Sequence, residues 1–385
     1  MAFEHYIQSG GKRLRCGYTT GTCAALAAAA ATQLLLTKEP PKTMGLMTPK
    51  GIFVEVEISQ SSLEGGKATC GVVKDAGDDV DATQGLLICA QVESSEAPGI
   101  TIDGGLGVGR VTKPGLDQPV GAAAINHVPR QMIASAVEKV QKTFGDSRGL
   151  AVTIFVPEGE KIAQKTFNPY MGIVGGISIL GTSGIVEPMS IQALIDTLEL
   201  EIRQAAALGA KDLILTPGNY GKDFLAEHGL EGGKIPIVKY SNFLGEALDA
   251  AAANGFSRVL LVGHLGKLVK LAGGIMNTHS RYADCRGEIF CAHAAIAGAS
   301  QKTCQALMNC ATSDAALEIL QREGLIQPVL ESLLKHITLH LHRRVAGAYQ
   351  VGGVLYSNQY GYLGETEEAK EILYIWTGKK EFFTA

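Results

Sequence analysis

A chain of 385 residues, 46% of them hydrophobic, is long for one core and can fill two. Its formal net charge of -4 argues against nucleic acid as a partner, so a polyanionic ligand would have to be met by a local basic patch. The eight cysteines include no CxxC pair, and the spacings Cys16/Cys23, Cys285/Cys291 and Cys304/Cys310 fit no zinc ribbon or finger, so reduced thiols and no protein-bound metal are expected.

The pattern predicts an Ala-rich helix from about Thr22 to Leu36, with Thr19, Thr20 and Thr22 before or within its first turn as caps for free N–H groups. Thr32 and Gln33 interrupt its apolar run before it could span a bilayer, and no charged n-region with a cleavage site precedes it. A soluble, cytoplasmic protein without a membrane partner is expected. An alternating strand at Ile52 to Ile58, apolar runs at Gly85 to Val92 and Ile100 to Ile102, and a helix from about Pro129 to Phe144 complete an α+β N-terminal domain, residues 1–148. Gly145 to Gly149 (GDSRG) is the expected boundary. From Leu150 strands and helices alternate: LAVTIFV, GISIL, a helix from about Pro188 to Leu208, DLILT, IPIVKY, a helix from Asn242 to Asn254, and RVLLV. That order predicts an α/β C-terminal domain, residues 149–385, with a mainly parallel, Rossmann-like sheet; a helical extension after Ala292 leads to a strand near Gln350 to Tyr356.

The segment Gly263 to Arg281 (GHLGKLVKLAGGIMNTHSR) follows the apolar run Arg258 to Val262, and ligands of open α/β sheets sit at the carboxyl ends of such strands. Lys267 and Lys270, three apart, are expected to share a helix face, and Gly273 and Gly274 to break that helix before His279 and Arg281. The turn Gly181, Thr182, Ser183, Gly184 precedes a predicted helix, a setting in which backbone N–H groups hold anions, although the strict G-x-G-x-x-G fingerprint is absent. Glu187 and Asp196 follow it as alternative acceptors for ribose hydroxyls. The loop Lys74 to Asp81 (KDAGDDVD) gathers four aspartates. Asp75 or Asp79 could act as a base, Lys74 could pair with a substrate acid group, and at least two of the aspartates would only brace the turn. The Gly-rich stretch Gly104 to Gly115 carries Arg110 and Lys113, with Arg130 downstream, and lacks the strict P-loop pattern. His336, His340 and His342 invite a metal reading, but no third ligand completes a known motif, and a helix face is the better account.

Four blocks, LRCGYTTGTCAALAAAAA (Leu14 to Ala31), VVKDAGDDVDATQG (Val72 to Gly85), GGLGVGRVTKPGL with PVG and AINHVPRQMI (Gly104 to Ile133), and Gly263 to Arg281, resemble in order those of the cobalt-precorrin-5B (C1)-methyltransferase family, CbiD, of anaerobic cobalamin biosynthesis. Ala122, Ala123, His127 and Gln84 depart from the expected family pattern. The resemblance implies transfer of a methyl group from S-adenosylmethionine to carbon 1 of cobalt-precorrin-5B, giving cobalt-precorrin-6A, with cobalt carried by the substrate. It also implies Gly181, Thr182, Ser183 and Gly184 at the co-substrate, and Lys74, Lys113, Arg130, Lys267, Lys270, His279 and Arg281 at the acid groups of the tetrapyrrole. A cleft between the two domains would be the place for so large a ligand. For the base that takes a proton from the ring, His264 is the first choice and Asp75 or Asp79 the competitors. His264 could instead donate a hydrogen bond to a carboxylate. A noncatalytic tetrapyrrole carrier of the same pathway is the alternative; self-association stays open, and a nicotinamide-dependent reductase is disfavoured by the missing dinucleotide fingerprint.

Overall fold

A computed structural model describes residues 3–9, 11–230 and 235–383. The chain divides into two compact units, residues 1–191 and 192–385. The first is built on a five-stranded sheet in the order Gln60–Glu64, Lys67–Val73, Leu87–Ser95, Gly149–Phe155, Ile100–Gly104. All neighbours are antiparallel except the last pair. The Ala-rich helix Thr20–Thr37 lies on strands Lys67–Val73 and Leu87–Ser95 and against the helix His127–Phe144. It is apolar on every side and buried on nearly every side, as a central core helix must be. By length and composition it could cross a bilayer, yet here its small side chains let a sheet and a second helix approach it closely.

The strand Gly149–Phe155 corrects the expected boundary, for it sits inside the first unit's sheet, between Leu87–Ser95 and Ile100–Gly104. Leu150, Val152 and Ile154 are buried while Ala151, Thr153 and Phe155 are only partly so, the period-2 pattern of a strand covered on one face. The run GISIL also belongs to this unit. It forms no single strand: only Gly176–Ile177 pairs, with Gly107–Val108, and the two residues Ile173–Val174 just before the run pair with Arg110–Val111. The turn after it leads into Ile185–Val186, paired with Gly17–Tyr18, and the next helix, Ile191–Ala207, begins only at Ile191.

The second unit has a five-stranded sheet in the order Ile237–Lys239, Asp212–Thr216, Arg258–His264, Gln350–Ser357, Gly361–Glu365. The first four strands are parallel and the last antiparallel. Val259, Leu260, Leu261 and Val262 are all fully buried, as expected of a strand covered on both faces. One face packs Leu244–Ala253 and Ile326–Val345, the other Asn219–Glu227 and Glu367–Thr377. Between the third and fourth strands run the helices Arg286–Ile296, Gln301–Met308, Ser313–Arg322 and Ile326–Val345, the helical stretch expected after Ala292.

Candidate active site

In the first unit, the helix start at Thr19 to Thr22, the aspartate loop and the turn after Leu180 surround a small cavity of about 120 Å³, lined by Thr19, Thr20, Lys74, Asp81, Asn168 and Ser178 among others. Gly77 brings the aspartate loop in. Its φ of +66° is left-handed, and a Cβ there would fall 2.2 Å from the Arg15 carbonyl oxygen, so only glycine allows this approach. Lys74 is 2% exposed, and its Nζ donates to Asp81 Oδ2 at 2.5 Å. An ammonium has three donors, and among the described residues Asp81 alone accepts from this one. The Thr20 N–H, in the first turn of an 18-residue helix, likewise has no acceptor among the described residues. Burial works to raise the Asp81 pKa, but Lys74 and the bonds from Thr83 outweigh it and hold the carboxyl below its usual range. The buried Lys74 ammonium and Thr20, whose N–H is free among the described residues, both line this cavity and suit a carboxylate.

In the second unit, a cleft of about 800 Å³ opens at the carboxyl ends of three neighbouring parallel strands. Pro217 and Gly218 follow the first, His264 ends the second, and Tyr356 and Asn358 lie at the end of the third. His264 Nδ1 accepts from the Gly266 N–H at 3.0 Å. The neutral ring therefore carries its proton on Nε2, which faces Asp314 Oδ2 at 3.9 Å. Asp314 Oδ1 accepts from Ser357 Oγ at 2.8 Å. Burial pulls the His264 pKa below its ordinary value and the Asp314 charge only partly offsets this, so the ring is neutral at pH 7.

The CbiD family model matches residues 7–188, and a model described as the CbiD C-terminal domain matches residues 277–367. A cobalt-precorrin-5B C(1)-methyltransferase of Ruminiclostridium cellulolyticum is 48% identical over 356 residues, covering 92% of each chain. The chain belongs to the CbiD family. A similarly named protein of Thermoanaerobacter sp. (strain X514) is 50% identical over 321 residues, 83% of this chain and 86% of that one. The crystal structure of a CbiD cobalamin biosynthesis protein from Archaeoglobus fulgidus is 32% identical and covers 72% of this chain and 86% of that one, with a TM-score of 0.39.

Within this CbiD fold, several residues singled out in the sequence have other partners than expected. Asp75 accepts from both Nη atoms of Arg15, at 2.6 and 2.9 Å, and from the Gly77 N–H at 2.9 Å. The Arg15 guanidinium holds its pKa below the usual carboxylate range, so Asp75 braces the loop and is a poor base. Asp79 accepts from the Met189 N–H at 3.3 Å and does not line the cavity. Arg130 donates to the carbonyls of Ile125 and Ile102, Arg110 is held bidentate by Asp103, and Lys113 donates to the Tyr170 carbonyl.

Lys267 and Lys270 share no exposed helix face, because the helix Leu265–Leu268 passes at once into a 3-10 turn, Val269–Gly273. That change of winding sends Lys270 inward. It is 1% exposed and donates to Thr278 O, Ser280 Oγ and Ala283 O, with Asp284 at 3.6 Å, so it clamps the returning loop and has no donor left for a ligand. Lys267 donates to Ser241 O and Asn242 Oδ1, both at 3.0 Å. His279 Nδ1 accepts from the Arg281 N–H, and the exposed Arg281 side chain makes no hydrogen bond among the described residues.

The turn Gly181 to Gly184 is filled by its own chain. Gly181 has φ +134°, and a Cβ there would lie 2.3 Å from Thr19 Oγ1; Thr22 Oγ1 donates to Gly184 O at 2.6 Å and Thr20 Oγ1 accepts from Leu180 N–H at 2.9 Å. No helix starts at this turn, so the helix-start argument for a bound anion does not apply to it. Glu187 pairs with Lys50, and Asp196 accepts from Gln192. His336 Nδ1 donates to the Ser332 carbonyl and His342 pairs with Glu368. Two carboxylates were missed: Asp81, one of four near-equivalent aspartates in sequence, and Asp314, whose sequence setting after Thr312 signals only a helix cap.

Proposed function

We propose that this chain transfers the methyl group of S-adenosylmethionine to carbon 1 of cobalt-precorrin-5B, giving cobalt-precorrin-6A and S-adenosylhomocysteine in anaerobic cobalamin biosynthesis. The observation that carries this reading is the match to a protein named for that methyl transfer at 48% identity over 92% of both chains. The cavity of the first unit supports it: Lys74 and the Thr20 N–H offer a seat for one acid side chain of a carboxylate-rich macrocycle. Arg281, an exposed cation, is available to another. We read the second unit's sheet as Rossmann-like, on the strength of its four parallel strands with helices on both faces.

The reaction asks mainly for placement. A ring carbon attacks the sulfonium methyl in line, the new C–C bond forms as the C–S bond breaks with its electron pair on sulfur, and the ring gives up a proton to water. Holding the two reactants in near-attack geometry lowers such barriers by up to about 7–11 kcal/mol. His264 acts as a hydrogen-bond donor through Nε2 and not as the base, since Gly266 already occupies its Nδ1 lone pair. The test is incubation with methyl-labelled S-adenosylmethionine and cobalt-precorrin-5B, followed by mass analysis of the ring. Label in the ring at carbon 1 is the expected result; tetrapyrrole bound without label would refute the enzyme and favour a carrier.

A further inference from the structure

The second unit's sheet reverses direction of travel at one place. From Asp212–Thr216 the chain moves outward to the edge strand Ile237–Lys239, then crosses back to lay Arg258–His264 on the other side of its starting strand. Numbered within the unit the order is 2-1-3-4-5, and the loops leaving strands 1 and 3 part to opposite faces and leave a crevice between them. The 800 Å³ cleft occupies that position, with Pro217 and Gly218 on one lip and His264 and Gly266 on the other. Its size falls in the range of small-molecule sites.

Resting on the methyltransferase reading, we propose that this cleft binds the methyl donor, with Asp314 accepting the ribose hydroxyls. The polar groups that line the cleft fit this ligand. The cations that line the cleft are engaged within the protein: Lys270 by the returning loop, Lys267 by Ser241 and Asn242, and Arg286 by both oxygens of Asp284. The carboxylate that lines it, Asp314, has Oδ2 turned toward His264 without a direct hydrogen bond. A sulfonium nucleoside brings a positive charge and a diol with two O–H donors, which this carboxylate can accept. Gly218 and Asn219, at the start of the nine-residue helix Asn219–Glu227, have N–H groups without acceptors among the described residues, placed for the donor's own carboxylate. Tyr220, 71% exposed on the cleft's rim, is free to cover the adenine.

The experiment is calorimetric titration of the full chain with S-adenosylhomocysteine. Gly218→Phe blocks the cleft without disturbing the fold, because a Cβ at Gly218 meets no atom within 4 Å. Asp314→Asn keeps the bond from Ser357 and removes the charge. Both variants, with unchanged thermal melting, are expected to weaken binding by about tenfold or more, while Thr182→Phe at the exposed turn of the first unit leaves it unchanged. Wild-type affinity in Gly218→Phe and Asp314→Asn would overturn this siting alone. No binding by the wild-type chain would overturn both the siting and the methyl-donor reading.

Discussion

Replacing Lys74 by methionine isolates the charge at the heart of the first unit's cavity. Methionine keeps the apolar stem that packs in the core, so the change removes the ammonium with little loss of volume. Asp81 is then left in a part-buried site with its bonds from the Thr83 N–H and Oγ1, at 2.7 and 2.6 Å. Breaking a buried ion pair costs about 3–5 kcal/mol. The side chain of Asp81 is 23% exposed and keeps those two bonds, which brings the expected cost down to about 2–3 kcal/mol. Hydrogen exchange in the helix Thr20–Thr37, which starts at the cavity, should report the loss. Adding Asp81→Asn should recover part of it, because the unpaired charge is gone. In the wild type the depressed Asp81 pKa adds stability that is present above the unfolded value of 3.8 and lost as pH falls through the folded one; Lys74→Met should flatten that acid limb. Unchanged exchange in Lys74→Met, or no coupling in the double variant, would refute the pairing argument. A tetrapyrrole KM equal to wild type would refute the carboxylate seat.

His264→Asn should still accept from the Gly266 N–H but lose the Nε2 donor, so single-turnover methyl transfer should fall by about tenfold or more with both affinities kept; a wild-type rate would remove the donor role. Burial raises the Glu365 carboxyl to about 7. Its contribution to stability is present below the unfolded value of 4.5 and lost as pH rises through about 7, so Glu365→Gln should raise the melting temperature at pH 8 and not at pH 5. The gain expected, discounted for partial exposure, is about 1–2 kcal/mol, read from thermal melts across pH. Gly77→Ala should cost about 2 kcal/mol or more in urea unfolding, because a left-handed φ and a contact with the Arg15 carbonyl both oppose a Cβ; a neutral effect would show that the loop can move away.

What the sequence determined by itself lies at short range. The continuous apolar run Val259 to Val262 announced a strand buried on both faces and put His264 at its carboxyl end, and threonines before an alanine run announced a capped core helix. These follow from residues within a few positions of one another, where periodicity and capping act. Tertiary structure alone decided which charges are free. Lys74 and Lys270 read alike as available cations, yet both are buried, and it is the number of acceptors around them that differs: three for Lys270, one for Lys74. The cleft's carboxylate comes from Asp314, fifty positions beyond His264, and the strand Gly149–Phe155 joined the first unit because its alternating face fits that sheet. A lone pair or a proton is engaged or idle according to what the folded chain brings within about 3 Å of it, and separation along the chain carries no record of that distance.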